Sequence, residues 1–297
     1  MRKVLFLILA IFSFSLLSHS ADIDDWIKGD GTDAVEDGDN PGTIDNSITD
    51  YLQDPLDRLL STYINGCTLT RTSATVITVS AGEVCCANGA GTIHRFRKNT
   101  STTTMTITES GASGLDSGSS EGASTWYSIY AVADAEATTF TVIAAEDGAA
   151  LSDVTYYKYL GSVYNDDGQD LANFTWVGEG NYCIFMFDVP LNFTTTLSAG
   201  SWHAVGALDI PSTSNMALLG LLAVDTNGNE AGVWVRPGST TWATNNSNGI
   251  YISESGGAAS VGGQRWCATD GSQQIQWYNG SGDESTRIDV EGFVINR

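Results

Sequence analysis

The sequence predicts a mostly β protein: two antiparallel β domains, sandwich or barrel-like, behind a short acidic N-terminal arm and one short helix. Three observations lead there. With 32 Gly, only 5 Pro and aromatics at 10% of the chain, the composition suits short strands joined by tight turns, with large side chains packed between sheets. From Cys67 onward, apolar residues recur at the period of strands, as in Val76-Ile77-Thr78-Val79. Between these runs stand pairs such as Asp167-Gly168, Asn227-Gly228, Asn248-Gly249 and Asn279-Gly280, the residue types that tight turns need.

The N-terminus reads as a secretory signal. Met1-Arg2-Lys3 precedes an apolar run from Val4 to Leu17, and Ser18-His19-Ser20 supplies the small residues before Ala21. The run is too short for a membrane span, so cleavage near Ser20 is expected to release a secreted chain without stable membrane insertion. Removing residues 1–20 deletes two of the 13 basic residues and none of the 35 acidic ones, which makes a net charge of −22 still more negative. Nucleic acid is excluded as a partner on that ground, because binding it rests on Lys and Arg neutralising phosphates.

Ala21 to Asn46 crowds Asp22, Asp24, Asp25, Asp30, Asp33, Glu36, Asp37 and Asp39 with little to bury, the composition of an extended arm. In Asp54-Pro55-Leu56-Asp57-Arg58-Leu59-Leu60, Asp54 can cap, Pro55 fits the first helical position, and Leu56, Leu59, Leu60 and Tyr63 recur at helical spacing. Residues 21–66 thus form an arm plus helix suited to attachment or self-association. The first β domain is expected over 67–178, with strands at 67–70, 74–80, 83–86, 101–108, 125–133, 139–144 and 156–163. Val177 to Asn181 marks the passage to a second β domain, 179–297. Its strands are expected at 182–188, 191–196, 201–208, 216–224, 232–236, 250–253, 264–268, 273–278 and 286–295. Met216 to Val224 is almost continuously apolar, which predicts a central strand buried on both faces.

The five cysteines, Cys67, Cys85, Cys86, Cys183 and Cys267, are an odd number, so one is spare or pairs between chains. Export permits disulfides; Cys67 with Cys85 or Cys86, and Cys183 with Cys267, are the expected pairs. His94 and His203 stand at no zinc-ligand spacing from a cysteine pair, so no metal cofactor of that kind is implied. The turn carrying Asp225, Asn227 and Asn229 offers oxygens to calcium but lacks the flanking helices and bidentate Glu of an EF-hand, and turn chemistry explains it as well.

Catalytic signals are weak. Gly118-Ser119-Ser120-Glu121-Gly122 has the letters of a nucleophile elbow, but it sits in a Gly/Ser loop where that chemistry needs a strand-to-helix turn beside a His and an acid. Leu115-Asp116-Ser117-Gly118 matches one aspartic-protease triplet without the second that must share its proton. A glycosidase needs only two carboxylates, and nothing singles a pair out of 35 acidic residues. Aromatic residues are better candidates, because sugars stack on flat ring faces while amides take their hydroxyls. Trp234, Trp242, Trp277 and Tyr278, with Asn245 and Asn246, form the expected ligand-binding set, although a strand Trp is more often core.

Ser124-Thr125-Trp126-Tyr127-Ser128-Ile129-Tyr130, entered from Leu115-Asp116-Ser117-Gly118, is similar to strands of tail-fibre and host-adhesion proteins of tailed bacteriophages and prophages. So is Tyr156 to Val163, running into Asn165-Asp166-Asp167-Gly168 and Phe174. Val233-Trp234-Val235-Arg236-Pro237-Gly238-Ser239, with Ile288 to Ile295, resembles the β-sandwich that often follows in such proteins. The resemblance implies a virion or surface-appendage component, a homo-oligomer of trimeric type, contacting a cell-surface glycan or protein through its C-terminal β domain. The signal departs from that family, whose fibres assemble in the cytoplasm. A bacterial surface protein carrying such a module, a secreted carbohydrate-binding module and a polysaccharide-cleaving enzyme are the alternatives.

Overall fold

A computed structural model of the chain describes residues 62–117, 119–178, 181–194, 206–225, 231–238, 250–254, 259–279 and 286–297. The expected leader, acidic arm and Asp54–Leu60 helix lie outside these residues. Among the described residues every regular element is a strand. In chain order the first nine are β1 (Ile64–Gly66), β2 (Leu69–Arg71), β3 (Val76–Val79), β4 (Gly82–Asn88), β5 (His94–Asn99), β6 (Thr103–Thr106), β7 (Thr125–Ala133), β8 (Thr141–Glu146) and β9 (Tyr156–Asn165). They build a six-stranded antiparallel sheet in the order β1-β4-β9-β7-β8, with β5 also on β4, and a three-stranded sheet β2-β3-β6.

The local reasons are legible in the burial. In β3, Ile77 and Val79 face inward while Val76 and Thr78 do not, the alternation of a strand with one covered face. β7 runs between β9 and β8, and six of its nine residues, Trp126 to Ile129, Ala131 and Val132, are buried. The expected strand at 125–133 matches β7 residue for residue. β5, in contrast, was not expected: His94-Arg95-Phe96-Arg97-Lys98-Asn99 has the charge of a loop, yet it pairs with β4 along its whole length.

The remaining strands are β10 (Phe174–Val177), β11 (Tyr182–Thr194), β12 (Gly206–Ala207), β13 (Met216–Asp225), β14 (Ala231–Pro237), β15 (Ile250–Glu254), β16 (Ala259–Ala268), β17 (Gln274–Asn279) and β18 (Thr286–Asn296). β10-β11-β18-β13-β16 form a five-stranded antiparallel sheet and β12-β17-β14-β15 a four-stranded one. The strands expected at 182–188 and 191–196 are one strand, β11, in which the register against β18 shifts between Met186 and Leu191. That irregularity accommodates Pro190, which has no N–H for a ladder.

Every pairing between these strands is antiparallel and none of the sheets closes into a barrel. Leu60–Arg297 form one compact unit. Its core runs without interruption past residue 178. The ring of Trp126 on β7 lies 5.1 Å from that of Phe293 and 6.0 Å from that of Phe187, and its Nε1 donates to Asp209 Oδ1 at 2.8 Å. Aromatic pairs at such spacings add to the stabilisation from area burial alone.

A ring of polar contacts straps segment 209–214 to the six-stranded sheet. Ser128 Oγ donates to Asp147 Oδ1 at 2.8 Å, and Asp147 Oδ2 accepts the Ser212 N–H at 2.6 Å. The Tyr159 hydroxyl meets both Ser162 Oγ and Thr213 Oγ1 at 2.8 Å, and Ser162 Oγ lies 3.4 Å from Ser128 Oγ. Burial pushes the Tyr159 phenol up, so the ring is neutral at that point and acts as hydrogen-bond donor and acceptor.

The five cysteines are all buried and the expected disulfides do not form. Cys183 and Cys267 sit on β11 and β16, separated by β18 and β13; three strand spacings put them about 14 Å apart, where a disulfide needs Cα atoms within about 7 Å. Cys67 lies against Gly82 at the start of β4, so Cys85 is three residues further along that strand, roughly 10 Å away, and Cys86 further still. Desolvation raises the thiol of Cys67 to about 11, offset in part by the Arg297 guanidinium, and those of Cys86 and Cys267 to about 12. They behave as small apolar core residues.

Candidate functional site

The expected aromatic ligand set is divided by strand geometry. β14 and β17 pair with Trp234 opposite Tyr278 and Val235 opposite Trp277. Successive residues of a strand point to opposite faces. Trp277 therefore turns to the core with Val233, Val235 and Ile275, while Tyr278 stands on the other face beside Trp234, ring centroids 5.4 Å apart and edge to face. Trp234 is only 5% exposed. The same face carries Arg236, whose Nε donates to Gln276 Oε1 at 2.8 Å. Trp242, Asn245 and Asn246 lie outside the described residues, so the two residues brought together are Trp234 and Tyr278.

The calcium candidates divide similarly. Asp225 ends β13, and Asn227 and Asn229 fall outside the described residues. Among the described residues no three His, Cys, Asp or Glu side chains converge as a metal site. Asp166 is a turn-former: its Oδ1 accepts the N–H groups of Gly168 at 2.9 Å and Asp170 at 3.0 Å. The protease-like Asp116 is buried and its Oδ2 accepts the Ser152 N–H at 2.8 Å, which ties two loops together.

A further candidate surface was not anticipated. It is the outward face of the five-stranded sheet. Five of the seven large apolar side chains exposed among the described residues belong to this sheet: Val177, Tyr182, Val189, Met216 and Leu222. Register brings two of them, Val177 and Met216, into one row. Val177 pairs with Ile184 and Ile184 with Val294; Ala217 pairs with Phe293, which places Met216 beside Val294, and Met216 pairs with Ala268. The next row is Thr175, Met186, Gly292, Leu218 and Trp266. Two adjacent rows thus cross all five strands with ten residues, none of which carries a charge.

The band is bounded on both sides. Beyond the first row Tyr182, 71% exposed, pairs with Asn296. Beyond the second, Gln264 Nε2 donates to Glu291 Oε2, and Arg287 Nε lies 2.7 Å from Asp289 Oδ2. Desolvation, with the nearby charge of Asp289, raises the Glu291 carboxyl above its ordinary range. Apolar patches of this extent rimmed by polar groups mark interaction sites. β13 is central, as its apolar run predicts; Ala217, Leu219, Leu221 and Ala223 are core, and on the other face Leu218 is buried while Met216 and Leu222 are exposed. No protein-family model matches the sequence, and no curated protein is significantly similar to it.

A second concavity lies between the edges of β2 and β10. It encloses about 560 Å³, is lined by Thr68, Leu69, Thr70, Phe174, Thr175, Trp176 and Gly178, and is widely open. Arg71 spans one end, its Nε donating to Leu171 O and its Nη1 to Asn173 Oδ1, both at 2.6 Å. At the other, the Arg297 guanidinium lies 5.1 Å from the Trp176 ring and Nη1 donates to Cys67 O at 3.0 Å. Both ends are closed by contacts that hold β2 to β10, which gives this groove a structural purpose.

Proposed function

We propose that the chain is an exported structural or adhesion protein of the tail-fibre type, acting by surface contact, with its C-terminal sheets meeting a cell-surface glycan or protein. The observation that carries this reading is the uncharged band across the outer face of the five-stranded sheet, a surface suited to protein contact and assembly. A flat apolar surface of that kind supplies area and shape for binding and offers no group for acid–base or nucleophilic chemistry. The antiparallel body, with Trp126 and the Tyr156–Val163 strand at its centre, supports the same assignment, as does the signal-like N-terminus. In this role the acidic arm and helix attach or assemble the chain, and the acidic surface keeps it soluble.

The test is the mass of the purified chain by light scattering, with and without reductant, followed by binding to a glycan array and to whole cells. An oligomer that binds cells or glycans supports the reading. A strict monomer with affinity for defined sugars makes it a carbohydrate-binding module, and release of reducing ends from a polysaccharide makes it an enzyme.

A further inference from the structure

The uncharged band admits a specific occupant. We infer that the outer face of the five-stranded sheet is where a second copy of this chain docks, face to face, around a two-fold axis running along the band. The inference rests on the reading of this face as an interaction surface and names its partner.

Charge decides first. The chain carries 35 acidic and 13 basic residues, so two copies repel over most approaches. Across the ten residues of the two rows there is no ionisable side chain, and a two-fold axis along the band lays one copy's rows on the other's while holding Glu291 and Asp289 at the rim. Like charges then stay in water, where they are screened within about 8 Å at physiological salt. An anionic membrane or acidic polymer lacks this arrangement, since it meets the acidic rim without a matching neutral stripe. A sugar is a poorer fit as well, because Trp266 is the one indole in the rows and their remaining side chains, Thr175 apart, are aliphatic or thioether groups that give hydroxyls no partner.

Size is the second consideration. Five strands at about 4.8 Å and the ten residues of β13 at about 3.4 Å bound the face at roughly 24 by 34 Å, at most about 800 Å², to which β10 contributes four residues. Full overlap of two copies would bury about 1,600 Å² but would bring Asp289 and Glu291 of both copies into the interface, so the axis along the band limits the overlap. Overlap limited to the two rows and the Tyr182 edge buries about half of that, which belongs to weaker, concentration-dependent dimers.

Sedimentation of the full chain over a concentration series is the experiment, comparing wild type with the double variant Val177→Glu/Met216→Glu and with Phe96→Glu, which adds a charge at an exposed site outside this sheet. The expected result is a concentration-dependent dimer that the double variant weakens at least tenfold and Phe96→Glu leaves unchanged, with circular dichroism and melting temperature of all three alike. A wild-type chain that stays monomeric throughout the series overturns the inference, and so does an oligomer that the double variant leaves intact. Glycan and cell binding are measured on the same proteins. Loss of binding by the double variant without any change of mass overturns self-docking and leaves the adhesion reading standing, whereas dimers that bind neither cells nor glycans refute the adhesion reading and leave self-docking standing.

Discussion

Replacing Gly161 with alanine is the substitution from which the structure predicts the clearest effect. Gly161 sits on β9 opposite Ile129, at a register shift, with φ of +152°. A Cβ there meets Trp176 Cη2 at 2.7 Å and Leu69 Cδ1 at 2.9 Å, both closer than real Cβ contacts come. Neither neighbour yields readily. Leu69 is 1% exposed, and Trp176 packs under the Arg297 guanidinium, which is itself tied to Cys67 O. Forcing one methyl into such packing costs about 1–3 kcal/mol. A backbone angle that L-residues avoid adds roughly 1–2 kcal/mol.

Gly161→Ala is therefore expected to destabilise by about 2–5 kcal/mol. For a unit of this size each kcal/mol lowers the melting temperature by about 2–4 °C. Gly148→Ala is the control, since Gly148 also has a positive φ, +81°, but nothing lies within 4 Å of an added Cβ. It should cost only the backbone part, roughly 1–2 kcal/mol. Urea denaturation followed by tryptophan fluorescence measures both. If Gly161→Ala unfolds at the same urea concentration as Gly148→Ala, the close approach of β9 to Trp176 and Leu69 is wrong.

Three other outcomes are expected. Trp126→Ala removes the ring that joins Phe187 and Phe293 to β7 and should cost about 3–5 kcal/mol, read by the same denaturation; Trp126→Phe should recover most of that while still losing the bond to Asp209. Asp147→Ala leaves the Ser212 N–H and Ser128 hydroxyl without their acceptor, with an expected loss of about 1–3 kcal/mol and faster hydrogen exchange at Ser212; unchanged exchange there argues against the polar strap. The native thiols should resist Ellman's reagent until the chain unfolds, and non-reducing mass spectrometry should show no disulfide. Cys67, Cys86 and Cys267 hold their protons up to about pH 11 or 12 in the fold, against 9.0 ordinarily. The native state then binds more protons than the unfolded chain above about pH 9, so their contribution to stability is full below that pH and is lost as pH rises through the folded values. The alkaline limb of the stability profile should flatten in Cys267→Ala.

Much of the framework was readable because β structure writes its period into the chain. β7, β9, β13 and β18 follow from runs of Val, Ile, Leu, Tyr and Trp bounded by turn residues, and their predicted limits fall within a few residues of the observed ones. β5 hid because its charged residues pair through backbone groups, which carry no side-chain signature. The division of Trp277 from Tyr278 was in principle legible, since adjacent strand residues cannot share a face. The disulfide expectation failed on distance: cysteine count and compartment say that bridges can form, and only strand order says which thiols meet.

Taken alone, the amino-acid sequence determined the mostly β class, the positions of most strands and turns, the acidic charge and the signal-like N-terminus, because composition, alternation and net charge are local or additive properties. The tertiary structure alone decided that the expected disulfides do not form, that the aromatic core passes from β7 into the C-terminal sheet, and that Val177, Ile184, Val294, Met216 and Ala268 stand in one row. Those five residues are spread over more than a hundred positions of chain. Their alignment is set by the registers of antiparallel ladders, where a slip of a single residue would turn each side chain to the opposite face.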